Sequence, residues 1–183
     1  MNRRRSRAFG LTLIEMVVVL SILSLLVGLT SASLLRWLPT YRLNAAAREV
    51  VNSLQKCKAA AVSRNRFCTL TFNAVLPGGA GSCDYVTYLD WDEDLEFDAN
   101  ETIVRAVSFT DYKSGVGFDL AMGGGDGLTF AGNDNGKPSI AFNGRGFPVS
   151  NSFGFGSGSL FLVNEKQERV KVVVSSMGRV RVQ

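Results

Sequence analysis

The sequence predicts an α+β fold, in which one long N-terminal α-helix packs on a head of antiparallel β-strands. Two observations lead to this prediction. Residues 11–63 combine an apolar run with apolar positions at three-and-four spacing, which is typical of a helix. From residue 64 onward, short runs of β-branched and aromatic residues alternate with Gly, Asn, Asp and Pro. After its apolar first fifth, the 183-residue chain has room for one modest globular domain.

The first ten residues hold an arginine cluster that precedes the apolar run: Arg3, Arg4, Arg5 and Arg7. The chain has 20 Lys and Arg against 16 Asp and Glu, so beyond this cluster its net charge is about zero. By the positive-inside tendency the cluster predicts a cytoplasmic N-terminus, and the rest of the chain gives no sign of a broadly basic body.

The apolar run from Leu11 to Leu35 has 25 residues. As a helix it would be about 37 Å long, which exceeds the roughly 30 Å hydrocarbon core of a bilayer. A cleaved secretory signal is the alternative, since "TSAS" at Thr30–Ser33 offers a small-residue cleavage site. The run is too long for the apolar region of such a signal, which is about 7 to 15 residues. The sequence therefore predicts a retained membrane helix over residues 11–35.

Glu15 is a lone carboxylate inside this run, where a charge is costly. No second charge lies within the run, so a partner must come from elsewhere. Cleavage after Gly10 would create an α-amine four residues from Glu15. The alternative is a carboxylate that reaches the membrane interface or is protonated in lipid.

The stretch "FG" followed by "LTLIEMVVVL" resembles the N-terminus of type IV prepilins and type II secretion pseudopilins. The resemblance implies that residues 1–10 are a leader, that prepilin peptidase cuts after Gly10, and that Leu11 becomes the N-methylated first residue. It also implies that Glu15 neutralises the N-terminal amine of a neighbouring subunit during fibre assembly. Two departures are Leu11 in place of the commoner phenylalanine and the lack of a proline near Ala32.

Past the apolar run, residues 36–63 predict an amphipathic continuation of the helix. Its apolar stripe is Leu43, Ala46, Ala47, Val50, Leu54, Cys57 and Ala61, and its outward face holds Arg42, Arg48, Glu49, Asn52 and Lys56. Pro39 falls inside this helix and predicts a kink.

Residues 64–183 predict the β head. The predicted strands are "FCTLTF", "DYVTYLDW", "TIVRAVSF", "GVGFDL", "LTF", "SIAF", "SLFLV", "RVKVVVSS" and "GRVRV". The stretches "AFNGRGFPV" and "VVVSSMGRVRV" resemble the C-terminal part of the GspH/FimT subgroup of minor pilins and pseudopilins. This resemblance implies a type IV pilin-like fold.

The chain has no histidine, which excludes Ser-His-Asp and Cys-His nucleophile pairs and the usual zinc ligands. An enzyme would have to use the acidic residues between Asp90 and Glu101 alone, and no second set of catalytic residues accompanies them. The sequence therefore predicts a protein that is not an enzyme and requires no cofactor.

The segment "DWDEDLEFDANE" places acids at calcium-loop spacing, and the candidate ligands of a calcium site are Asp90, Asp92, Asp94 and Glu101. Leu95 occupies the sixth position, where an EF-hand needs glycine, so a looser oxygen-ligand site is the form that calcium binding would take. A solvated acidic turn between strands is the alternative, and we favour it.

Three cysteines in an oxidising compartment allow one disulfide. Cys57 lies on the apolar stripe and predicts a buried free thiol. Cys68 and Cys83 bracket a predicted hairpin and are the candidate pair, although the sequence does not determine the pairing.

In "GRVRVQ", β alternation puts Arg179 and Arg181 on one face, about 7 Å apart. Two guanidiniums so placed can engage adjacent phosphates of duplex DNA. The motif resembles the Gly-Arg-x-Arg element of FimT-type minor pilins, which implies DNA contacts at these arginines, with Lys171 and Arg169 as neighbours. The alternative is an arginine pair that protects an edge strand from aggregation.

Together these features predict a minor pilin or pseudopilin of a type IV pilus or a type II secretion pseudopilus. It would be anchored in the bacterial inner membrane by a single pass, with a cytoplasmic N-terminus, a periplasmic head and other pilin subunits as partners. The alternative function is a DNA-binding minor pilin of the FimT type that acts in DNA uptake.

Overall fold

The computed structural model describes residues 12–76, 81–112, 115–151 and 154–183, except for the side chains at 30–35 and 112. Within them one α-helix, α1 (Leu13–Arg64), is followed by nine strands. The strands are β1 (Phe67–Val75), β2 (Ser82–Asp90), β3 (Thr102–Val107), β4 (Gly117–Phe118), β5 (Ser139–Phe142), β6 (Pro148–Val149), β7 (Gly158–Val163), β8 (Arg169–Val174) and β9 (Val180–Val182). A short 3-10 helix, Phe109–Tyr112, follows β3. The α+β prediction is confirmed.

Helix α1 is bounded by a cap at each end. The Thr12 Oγ1 accepts a hydrogen bond from the Glu15 backbone N–H at 3.3 Å, which is the N-terminal half of a capping box. At the other end Asn65 has a positive φ of 50°, and the Arg66 N–H donates to the Ala61 carbonyl at 3.1 Å. This left-handed residue and its backward bond terminate the helix one residue beyond the predicted end.

The predicted apolar stripe of α1 is buried as expected. All seven of its residues, Leu43 to Ala61, are 1% exposed or less. They pack in one core with residues of β1 that face the helix, among them Leu70 and Phe72, and with Val172 and Val174 of β8. The three-and-four periodicity thus identified the buried face of the helix.

The strands form two antiparallel sheets. The first has the order β3-β2-β1-β5-β6, and the second has the order β4-β7-β8-β9. The far side of the first sheet buries Ala74, Cys83, Val86 and Tyr88, with Phe97 packed against them. Both sheets contribute to the main core, so the head is a helix covered by two small sheets.

One predicted strand is absent from the structure, and one short strand was not predicted. Residues 128–130 make an isolated bridge from Leu128 to Leu160 and do not form a strand. The strand β6, Pro148–Val149, has only two residues and was not predicted. Such short pairings depend on a neighbouring strand and leave no periodic signal in the sequence.

The described chain divides into two compact units, with the boundary between Leu38 and Pro39. Among the described residues, no helical segment has the length and apolar character that a membrane span requires.

The predicted leader, residues 1–10, and the predicted methylated residue Leu11 lie outside the described residues. The predicted membrane segment, residues 11–35, lies partly outside them, because the side chains at 30–35 are not described. Both segments stay predictions.

Candidate functional site

Glu15 occupies the third position of helix α1 and is exposed. Its backbone N–H is bound by Thr12 Oγ1, as described above. A carboxylate in the first turn also interacts favourably with the positive end of the helix dipole. A carboxylate at this position thus suits the first turn of the helix, and the T-x-x-E spacing in the sequence is the pattern of a capping box.

Arg179 and Arg181 flank Val180 at the start of the last strand. The turn before β9 is closed by the Arg179 backbone N–H, which donates to Ser175 Oγ at 3.2 Å. Val180 packs against the core, while both arginine side chains are exposed. The alternation thus presents two guanidiniums on the outer face of the second sheet, as predicted.

Lys171 lies on the same outer face, one strand away. In the register of β8 and β9, Arg181 is opposite Val173, and the Lys171 backbone exchanges hydrogen bonds with that of Gln183 at 3.0 and 2.8 Å. The Lys171 ammonium lies 5.2 Å from the ring centre of Phe161. The structure therefore brings Lys171, Arg179 and Arg181 together on one face.

Arg169 differs from these three cations. Its Nε lies 2.6 Å from Oδ2 of Asp119, a carboxylate that is only 4% exposed. The other oxygen of Asp119 accepts a hydrogen bond from the Ala121 N–H at 3.1 Å. Arg169 is thus engaged in a partly buried ion pair, so its guanidinium is less available to a ligand than those of Arg179 and Arg181.

The acidic segment folds into a loop after β2. Carboxylate oxygens of Asp90, Asp92 and Asp94 lie within 4.8 Å of one another. Asp90 is fully buried and shapes the loop: it accepts hydrogen bonds from Thr69 Oγ1 at 2.8 Å and from the N–H groups of Glu93 and Leu95 at 2.7 and 3.0 Å. Burial raises the pKa of Asp90, although these hydrogen bonds oppose the shift.

Glu101 does not belong to that group of three carboxylates. Its oxygens accept hydrogen bonds from the N–H of Trp91 at 3.4 Å and of Asp98 at 3.0 Å, so it closes the other end of the loop. Burial, and then the charge of Asp90, raise the pKa of Glu101 to about 8, although these hydrogen bonds oppose the shift. Three of the four predicted calcium ligands are therefore close together, and Asp90, Asp94 and Glu101 already accept hydrogen bonds from the protein.

The predicted pairing of Cys68 with Cys83 is wrong. Cys68 is opposite Leu89 and Cys83 is opposite Ala74, so the two cysteines lie at opposite ends of the β1–β2 hairpin. Six residues of strand separate these positions by about 20 Å, whereas a disulfide requires Cα atoms within about 7 Å. All three cysteines are buried free thiols, as the sequence predicted for Cys57.

Cys57 has a neighbour that the sequence did not predict. Its thiol lies beside that of Cys68, because the buried stripe of α1 packs on the inner face of β1. Burial is the main reason that the pKa of Cys57 is raised well above its ordinary value, and the Cys68 thiol adds to the shift.

Sequence reasoning missed a group of cations at the end of α1. Arg64 and Arg66 line a cavity of about 370 Å³ together with Leu89 and Trp91. The Arg66 guanidinium carbon lies 5.1 Å from the ring centre of Trp91, a cation–π distance, and Trp91 is 50% exposed. The pairing of residues 25 positions apart leaves no local signal, although the "SRNR" after the apolar stripe marked a basic helix end.

Comparisons with known proteins agree with this architecture. The sequence model of the family described as type II transport protein GspH matches residues 46–178, which is more than half of the chain. The model of the prokaryotic N-terminal methylation motif matches residues 5–31, a range that includes Gly10, Leu11 and Glu15. No curated protein and no solved structure matches the chain. The chain therefore belongs to the GspH family, whose members are structural rather than enzymatic, and it is a type IV pilin-like pseudopilin or minor pilin.

Proposed function

We propose that this protein is a minor structural subunit of a type II secretion pseudopilus that assembles through its N-terminal helix. The GspH match over residues 46–178 carries this proposal, because the family's description refers to type II transport. A type IV pilus subunit is the closest alternative, since the same N-terminal motif serves both machines.

The methylation motif supports a processing step before assembly. Prepilin peptidase would cut after Gly10 and methylate the amine of Leu11. The arginine cluster that precedes Gly10 favours a cytoplasmic N-terminus, with the single-pass helix in the bacterial inner membrane and the head in the periplasm.

The proposed role of Glu15 in assembly can be separated from a role of its side chain in helix capping. Glu15→Gln removes the charge but keeps a side chain that can serve a capping box, whereas Glu15→Ala removes both. If the carboxylate neutralises the amine of a neighbouring subunit, both variants should be cleaved and inserted but excluded from fibres. The measurement is the fraction of protein in sheared fibres, by immunoblot. Incorporation of Glu15→Gln at the wild-type level would contradict the charge pairing and leave only helix capping.

The two machines can be separated by deleting the gene. A pseudopilin is required for export of secreted enzymes, so we expect their loss from the culture medium while twitching motility and transformation persist. Normal export with lost motility would assign the subunit to a pilus instead.

DNA binding is the second candidate function, because the outer face of the second sheet presents Lys171, Arg179 and Arg181 together. The test is fluorescence anisotropy of labelled duplex DNA with the full chain in detergent, at low and moderate salt. Binding that weakens with salt and falls in an Arg179→Gln, Arg181→Gln variant would support it. Equal or absent binding in both proteins would leave the arginines as protection for the edge strand β9.

A further inference from the structure

The loop between β5 and β6 packs on the C-terminal end of α1. The Asn143 Oδ1 accepts hydrogen bonds from the N–H groups of Arg145 and Phe147, both at 3.0 Å, which closes the loop. Gly144 lies so close to the helix end that a Cβ there would be 2.4 Å from Asn65 Oδ1. Arg145, at the tip of the loop, is exposed. The loop therefore presents its arginine beside the last residues of α1.

Arg66 connects this loop to the cavity beside Trp91. Arg66 and Arg145 both line a cavity of about 270 Å³, and Arg66 also lines the cavity that it shares with Arg64 and Trp91. The contact with the Trp91 ring holds the Arg66 guanidinium at the boundary of the two cavities. Among the described residues that line the smaller cavity, Glu93 is the acidic one. Two neighbouring arginines of the helix end, Arg64 and Arg66, thus meet the distant Arg145 around two adjoining cavities.

The turn before β9 brings a further arginine to the same place. A Cβ on Gly178 would be 3.0 Å from the Gly146 carbonyl oxygen, so the two turns are in contact. Lys58 on α1 donates a hydrogen bond from Nζ to the Gly178 carbonyl at 3.2 Å, which ties this turn to the helix. Arg145 precedes Gly146 and Arg179 follows Gly178, so their backbones lie side by side.

These residues form what we call the helix-end basic surface: Arg64, Arg66, Arg145, Arg179 and Arg181. All five are exposed, and none of them forms an ion pair with a residue that the structure describes. Because the chain beyond its first ten residues is about neutral, five unpaired cations in one region are a departure from its average charge. A surface of this kind attracts an extended anion with regularly spaced charges.

We propose that the helix-end basic surface is a single binding site for the phosphodiester backbone of duplex DNA, in which Arg66 and Arg145 extend the contacts of Arg179 and Arg181. This inference rests on the DNA binding proposed above for the last two residues. It adds the helix end and the β5–β6 loop, which neither the sequence motif nor the family match assigns. Trp91 acts as a positioning residue that orients the Arg66 guanidinium.

The test compares two variants that each lose two positive charges. Arg66→Gln, Arg145→Gln removes two cations of the surface, and Arg48→Gln, Lys56→Gln removes two exposed cations from another part of α1. Each full-length protein in detergent is titrated against a fluorescein-labelled DNA duplex over a series of salt concentrations. Circular dichroism and the unfolding midpoint verify that each variant is folded.

We expect the first variant to bind roughly tenfold more weakly, with a log–log salt dependence flatter by about 0.9 for each lost phosphate contact. The second variant should bind like the wild type. Wild-type binding that depends on Arg179 and Arg181 but not on Arg66 and Arg145 would overturn this inference and leave the DNA function intact. Equal weakening of both double variants would also overturn it, since the effect would then be one of net charge. A wild type that binds no duplex would overturn the DNA function and this inference together.

Discussion

Single residues in the head show how burial determines chemistry. Asp90 and Cys57 are both fully buried, but their surroundings differ. Hydrogen-bond donors surround the Asp90 carboxylate, whereas the apolar core and a second thiol surround Cys57. A buried carboxylate is tolerated when donors satisfy it, and a buried thiol is unreactive because its thiolate is disfavoured. The sequence contained both residues but not these surroundings.

The cysteines give a direct prediction at this scale. Because all three are buried free thiols, native protein should react slowly with an alkylating reagent, and denatured protein should take three labels without any reductant. Intact-mass spectrometry measures both. A denatured protein that takes one label unless it is first reduced would contradict the free-thiol arrangement and indicate a disulfide.

Asp90 gives a second prediction. Asp90→Asn replaces one acceptor oxygen by an amide that cannot accept, so at least one of the three donors to Asp90 is left unpaired. We expect a loss of about 1 to 3 kcal/mol in the free energy of unfolding, measured by urea denaturation.

The wild-type protein, unfolded in the presence of calcium or of a chelator, tests the candidate calcium site. If the acidic segment is a loop held by its own hydrogen bonds, the unfolding midpoint should be equal in calcium and in chelator. A midpoint that rises with calcium in the wild type, but not in an Asp92→Asn variant, would contradict this and favour the metal site.

At the scale of elements, turns and loops position the exposed cations. The turn before β9, the β5–β6 loop and the end of α1 contact one another through Gly178, Gly146 and Asn65. Each contact depends on a small residue or a left-handed backbone conformation, so the elements can approach closely. The positions of the arginines follow from these approaches.

Gly178 allows a controlled test of this packing. Gly178 has a φ of 73° and Gly136 has a φ of 72°. A Cβ at Gly178 would be 3.0 Å from the Gly146 carbonyl oxygen, whereas nothing lies within 4 Å of a Cβ at Gly136. Replacement of either by Ala brings the same backbone strain. Gly178→Ala should therefore destabilise the protein by about 1 to 3 kcal/mol more than Gly136→Ala in urea unfolding. Equal losses would mean that the two turns do not pack as described.

The turn between β7 and β8 provides a pH-dependent contact with α1. Thr40 Oγ1 and Asn164 Nδ2 each donate to Glu168 Oε2 at 2.7 Å, and the hydrogen bond from Thr40 is the main reason that the pKa of Glu168 is lowered. Because the folded pKa lies below the unfolded one, ionised Glu168 stabilises the fold above the unfolded pKa, and this stabilisation is lost as the pH falls through the folded pKa.

The measurement is the unfolding midpoint against pH for the wild type and for Glu168→Gln. We expect the wild type to have a higher unfolding midpoint than Glu168→Gln near neutral pH. This difference in midpoint should disappear as the pH falls below about 4. Glu165→Gln, an exposed substitution in the same turn, is the control and should follow the wild type throughout. A difference in midpoint that does not change with pH would show that ionisation of Glu168 does not stabilise the fold.

At the scale of the whole head, one helix holds two sheets together. Residues of α1 pack in the same core as residues of the first sheet and of the second sheet. Leu54 lies in the middle of this buried stripe and is fully buried, whereas Gln55 beside it is exposed. The stability of both sheets thus depends on the same helical face.

Leu54→Ala tests this dependence. The cavity and the lost apolar burial should lower the free energy of unfolding by about 2 to 5 kcal/mol, while Gln55→Ala should change it by about 0.5 kcal/mol or less. Urea unfolding followed by tryptophan fluorescence and circular dichroism measures the effect. A lower free energy of unfolding in only one of the two signals would contradict a core that both sheets share.

The sequence by itself determined the features that depend on local pattern. The three-and-four spacing identified every buried apolar residue of α1, alternation placed Val180 inward between Arg179 and Arg181, and the N-terminal motif led to the family. These predictions succeed because the face of a helix or strand on which a residue lies follows from its position along that element.

Only the tertiary structure decided which distant residues meet. Cys68 lies beside Cys57 and not Cys83, Arg169 is held by Asp119, and Arg66 joins Arg145 at the helix end. Such contacts depend on strand register and on how turns pack against a helix, both of which arise from the whole core. Local periodicity carries no information about such contacts. It indicates which face of a segment is buried, but not which other segment packs against that face.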